Sequence, residues 1–243
     1  MMKKVVILLL CVMALMSCHF HVNGSNLIEP SDNIVTKDYQ MSPFKAIVSH
    51  VFTTVEIIQS DEKDGLVVLT APENYIELIK FNDKDERLNI GYNKDNINID
   101  GHHVNITIYT SNLQMIKNSG AASISLDSLD TDKLDIQNSG VGSFRLNNVL
   151  ADQVTVGCSG VGDISINGET IDATLNCSGV GSIRAKDLKS KNVDAHVSGV
   201  GGIECHASDY IYGRVTGVGS LKYAGHPTKK DVNKSITGGI SEF

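Results

Sequence analysis

Tryptophan is absent from this chain, and aromatic residues make up only 5% of it. A core of stacked rings is thereby excluded, and a sugar-stacking platform is disfavoured. Proline is scarce, at 4 residues, while glycine reaches 22. That balance favours tight turns over helices, since each interior glycine costs a helix roughly 1 kcal/mol. Basic residues are outnumbered 21 to 28, for a formal net charge of −7. Phosphate backbones are bound by clustered Lys and Arg, so no nucleic-acid partner is expected. With 243 residues and 41% hydrophobic content, the chain suffices for one large β domain or two small ones.

No apolar run is long enough for an ordinary transmembrane helix. The run from Val5 to Met16 follows Lys3 and Lys4 and ends in Leu15-Met16-Ser17-Cys18. A charged start, a short apolar stretch and a small residue before cysteine read as a bacterial lipoprotein signal. Residues 1–17 are then removed, and Cys18 becomes the lipid-bearing first residue of an outer-membrane lipoprotein. Such a protein is anchored to the membrane without spanning it. A plain secretory signal with an incidental Cys18 is the alternative. No acidic residue directly follows Cys18, which leaves both the cell surface and the periplasmic face open. Residues 18–43 hold Asn, Ser, Pro and Gly without a sustained period and read as a tether. His19 and His21 are then solvated linker residues.

What the chain does have is a repeat. SGAAS at Ser119 is followed by SGVGS at Ser139, SGVGD at Ser159, SGVGS at Ser178, SGVGG at Ser198 and TGVGS at Thr216, in steps of 20, 20, 19, 20 and 18 residues. Five residues after each Ser or Thr stand Ile124, Phe144, Ile164, Ile183, Ile203 and Leu221, with a second, mostly apolar position two further on. Apolar–polar–apolar alternation is the signature of a strand with one buried face. The period is half that of a propeller blade, and the glycines would break a helix. Stacked coils remain. The fold class expected is all-β, a parallel β-helix or solenoid of twenty-residue units spaced ~4.8 Å apart.

Gly140, Gly142, Gly160, Gly162, Gly179, Gly181, Gly199, Gly201, Gly217 and Gly219 are assigned to the structural turns. Positive φ and close backbone approach are the expected reasons. The residue before each turn forms an inward column: Asn118, Asn138, Cys158, Cys177, Val197 and Val215. Asn118 and Asn138 are expected to stack their amides. Cys158 and Cys177 become neighbours at a spacing slightly beyond easy disulfide reach, and they read as buried thiols.

Residues 44–115 contain strand-like runs without the motif, either irregular first coils or a separate all-β cap. Residues 116–224 carry the regular repeats. Residues 225–243 are a C-terminal cap or tail, since a solenoid end needs cover.

A search for chemistry returns little. Each GVG lacks the third glycine of a dinucleotide loop, and no GK[ST] follows. Asp127, Asp130, Asp132 and Asp135 lie on a polar return and read as solvated, as does His196, which with His206 brackets the fifth turn. No G-x-S-x-G or H-E-x-x-H motif is present. No catalytic residue, cofactor or metal site is assigned.

With its lipoprotein-type start, irregular β half and serial SGVGxI units, the chain resembles the head GIN domain family of autotransporter-type adhesins, common among Bacteroidetes lipoproteins. The resemblance covers residues 44–224. It implies a β-helix whose glycine turns join two sheets, a non-catalytic body and an adhesin-like role toward an unknown protein or glycan partner. Self-association as a homo-oligomer is expected because solenoid faces and edges pair readily, and a trimer is implied only by the same analogy. A periplasmic structural or interaction module is the competing role, and a polysaccharide-active enzyme the third.

Overall fold

The computed structural model describes residues 27–243. Cys18, His19, His21 and the signal-like segment lie outside the described residues. Among the described residues, alternating apolar residues give seventeen strands in a single sheet that coils on itself through about six turns. In chain order they are β1 (Ile34–Gln40), β2 (Ala46–Ser49), β3 (Phe52–Gln59), β4 (Leu66–Pro72), β5 (Ile79–Lys84), β6 (Arg87–Tyr92), β7 (Asn105–Thr110), β8 (Met115–Asn118) and β9 (Ala121–Leu126). They continue as β10 (Leu129–Asn138), β11 (Val141–Cys158), β12 (Val161–Cys177), β13 (Val180–Val197), β14 (Val200–Val215), β15 (Ser220–Ala224), β16 (Lys229–Lys234) and β17 (Gly239–Glu242). A short helix, α1 (Glu73–Ile76), sits between β4 and β5.

The repeats stack in parallel, as their spacing predicts. Each of β11 to β14 is nearly a whole coil and pairs with the next along its length. The coil has three straight stretches, where two joined sheets were expected. In β11, Val141–Leu146, Val149–Ala151 and Gln153–Cys158 each find partners in β12, with a register slip between Leu146 and Val149. Asn148 turns that bend in the left-handed region, at φ 47°. Asparagine tolerates that conformation better than most residues.

The irregular N-terminal half is no separate body. One inward column runs Leu69, Ile106, Val55, Ile124, Phe144, Ile164, Ile183, Ile203, Leu221, Ile240, each registered beside the next. Its members from Leu69 to Leu221 are buried. Burying each such side chain contributes roughly 1.5–3 kcal/mol, so a charge placed at Ile164 would break two interfaces at once.

Layer order departs from chain order at this end. The coil β2–β3 lies between β6–β7 on one side and β8–β9 on the other. Beyond β7 come β4 and then β1, both antiparallel, and beyond β6 comes antiparallel β5. These strands cover the end of the rod.

Two expectations change here. Part of the stretch read as tether is structural: β1 pairs with β4 along its full length, from Ile34 beside Pro72 to Gln40 beside Leu66. Its alternation is weak because it is an edge strand with only Val35 and Tyr39 turned to the core, Tyr39 stacking on Phe81 at 4.9 Å. Upstream, Ile28 bridges to Ile99 and the Asn74 amide donates to the Glu29 carbonyl at 2.8 Å. At the other end, β16 and β17 continue the solenoid by pairing with β14 and β15. β16 carries Lys229, Lys230 and Lys234, charges that discourage edge-to-edge pairing.

Candidate functional site

The corners explain the SGVG units. Asn138 ends β10, Ser139 and Gly140 turn, and Val141 opens β11; the later units repeat this. The ten assigned glycines lie at the corner or one residue into the following strand. Positive φ is not the common reason for them. Gly142 has no left-handed φ, whereas Gly162 stands at φ 131°. What they share is contact: a Cβ at Gly142 would overlap the Ala122 carbonyl oxygen, and one at Gly162 that of Gly142. The two glycine columns let each corner settle directly on the backbone of the coil before it.

Inside the corners, Asn118 donates its side-chain amide to Asn138 Oδ1 at 3.0 Å, and Asn138 donates to the Gly142 carbonyl at 3.4 Å. Farther along, Cys158 and Cys177 donate their thiols to Gly162 and Gly181 at 3.6 and 3.4 Å. All three cysteines of the described body are free and buried. Burial pushes the Cys205 thiol up to about 12. Cys177 is likewise raised, by its contact with Cys158 and by burial.

Outside the corners is a feature the sequence reading missed. Val141, Val161, Val180 and Val200 are registered side by side, and Val218 follows in line. These five valines are between 49% and 64% exposed. Strand parity carried the signal, because each Val lies an odd number of residues from the inward Phe144 or Ile. Their neighbours on the edge are Ser and Gly; the one acid, Asp163, is paired with Arg184 at 2.9 Å. The result is a neutral apolar ridge on a chain of net charge −7.

Two concave faces lie on other stretches of the coil. A groove of about 720 Å³ follows the short middle stretch, Val149–Ala151 in β11. Its outward column is Asp130, Leu150, Glu169, Lys189, His206, acidic at one end and basic at the other. His206 is held below the usual histidine range by desolvation and then by Lys189. The predicted acidic cluster does not converge: Asp130 and Asp132 line this groove, Asp127 accepts from Asn147, and Asp135 accepts from Gln137. Among the described residues, no three His, Cys, Asp or Glu side chains are grouped to hold a metal.

The second concavity, about 620 Å³, lies on the outer surface of β12 to β14. Tyr210 and Tyr212 project from β14, with Tyr212 beside the His196 ring at 5.5 Å and under the Arg214 guanidinium at 5.0 Å. Two of the chain's few aromatic residues are thus on this face. His196 therefore belongs to this face and His206 to the groove, two sites instead of one turn.

A rod of stacked coils with a covered end and repeated outward columns defines a parallel β-solenoid. The chain belongs to the family described as "Putative auto-transporter adhesin, head GIN domain", whose model matches residues 43–227. A crystal structure of a "putative adhesin" from Bacteroides fragilis is 31% identical, with a TM-score of 0.84 over 89% of this chain and 100% of that one. A "putative adhesin" and a "putative lipid binding protein" from Parabacteroides distasonis share the fold at 21% and 19% identity, each with a TM-score of 0.68 over 90% of this chain and 100% of theirs. No curated protein matches the chain. Among the described residues, no helix is long and apolar enough to cross a membrane.

Proposed function

We propose that this protein is an outer-membrane lipoprotein, anchored through Cys18, whose non-catalytic solenoid binds a partner at the cell surface in an adhesin-like role. The observation that carries this reading is the exposed valine ridge. Five apolar side chains at one coil position, each about half exposed, are costly to leave in water. A stiff rod presenting such columns suits extended recognition, because the ordering cost is met on folding and not on binding. The family membership and the "putative adhesin" from Bacteroides fragilis support the same role.

The test is protease and antibody accessibility on intact cells, with Cys18→Ala as the control. Exposure of the wild type and loss of the variant from the surface are the expected results. A wild type shielded until the outer membrane is breached would replace this reading with a periplasmic interaction role.

A further inference from the structure

We propose that the outer surface of β12 to β14 around Tyr210 binds a neutral oligosaccharide of hexose units. Three successive coils build the site in rows. Asp172, Asn192 and Tyr210 are registered side by side, and so are Thr174, Asp194 and Tyr212. Tyr210 is 36% exposed and offers its ring to solvent. Tyr212, braced by His196 and Arg214, forms a fixed wall beside it.

The polar groups between them suit hydroxyls, which both donate and accept. Asn192 donates to Asp172 Oδ1 at 2.9 Å, leaving its own carbonyl oxygen and the second Asp172 oxygen free to accept. Asp194 holds His196 Nε2 through Oδ1 at 2.7 Å, and its carboxylate stands in the row between Thr174 and Tyr212. The Thr174 hydroxyl adds a group of either sense. An apolar ring face beside fixed acceptors matches a sugar, which has C–H faces and hydroxyl edges.

Charge and shape narrow the class. Asp172 and Asp194 disfavour an anionic chain, and Arg214 beside them disfavours a polycation, which leaves a neutral ligand. The volume of about 620 Å³ falls within the ordinary range for small-molecule sites. The concavity is open along the sheet and lets an oligomer pass through. The proposal takes its biological setting from the adhesin-like reading, but binding in solution does not depend on it.

The experiment is saturation-transfer NMR on the full chain in detergent, with cellohexaose, maltohexaose and N-acetylchitohexaose as probes. Saturable transfer to ring C–H protons is expected for at least one. Tyr210→Phe should keep the affinity within about threefold, and Tyr210→Ala should weaken it by at least about tenfold. Arg145→Ala, on another face, should change nothing. Absence of saturable transfer from all three probes at ~10 mM, or equal binding by Tyr210→Ala, would overturn the proposal. The two readings separate on whole cells. Attachment that survives Tyr210→Ala rejects sugar binding as its basis and spares the adhesin-like role. Sugar binding by a protein shielded inside the envelope rejects only the surface role.

Discussion

The Cys177 thiol donates to the carbonyl oxygen of Gly181 at 3.4 Å, across the corner it precedes. Cys158 makes the same bond to Gly162, and Asn138 makes it to Gly142 with an amide. Three coils thus satisfy one part-buried carbonyl in the same way with two kinds of donor. Cys177→Ala removes the donor and leaves space beside it. We expect a loss of roughly 1–3 kcal/mol, read by chemical denaturation with an unchanged m value.

The glycine columns make a steric prediction. Gly142→Ala places a methyl on the Ala122 carbonyl oxygen without any change of φ preference. Gly162→Ala meets the Gly142 oxygen and also opposes φ 131°. Both should cost upwards of ~2 kcal/mol, the second more. Gly91→Ala, with nothing within 4 Å of its added carbon, should stay within about 1 kcal/mol of wild type. Equal melting temperatures for all three would reject corner stacking.

The ridge predicts a separation of stability from binding. Val161→Glu with Val180→Glu changes only outward positions, so the thermal midpoint should hold to within the effect of about 0.5 kcal/mol. Attachment by cells carrying the double variant should fall at least about tenfold, because two charges must be desolvated in the contact. Unimpaired attachment would remove the ridge from the adhesin-like reading.

The buried thiols set an alkaline limit. Cys205 is raised in the folded state to about 12 from an ordinary value of 9.0. The folded protein holds this proton more tightly than the unfolded chain, so the stabilisation is full below pH ~9 and is lost as pH climbs from there toward ~12. Denaturation midpoints should fall across that window, and the fall should shrink in Cys205→Ala. At pH ~8 the three thiols should resist iodoacetamide until denaturant is added.

Much of the architecture was legible because the repeat imposes it. Phe144, Ile164 and Ile183 fall at one offset from their turns, and that offset is the inward column. The Asn118–Asn138 pair followed from the same parity. β1 was not legible: Val35 and Tyr39 are its only inward residues, and its pairing to β4 is a long-range event with no local signature. The middle stretch of each coil was hidden as well, since Val149–Ala151 is too short to show a period. The valines were legible by parity but masked by the glycines on either side. The Tyr210 face could not be read from composition, because register alone brings Asp172, Asn192 and Tyr210 together from three coils.

β3 and β4 follow one another in the chain yet lie apart, with β7 between them, parallel to one and antiparallel to the other. They can never close as a hairpin. Whatever emerges first during synthesis must keep a strand-wide slot open until residues 105–110 arrive to fill it. That slot has two unsatisfied edges, each able to capture a foreign strand. Coil-by-coil growth can begin only from β8 onward, so the irregular end is the slow step of assembly and the stretch most in need of protection while it is unfinished.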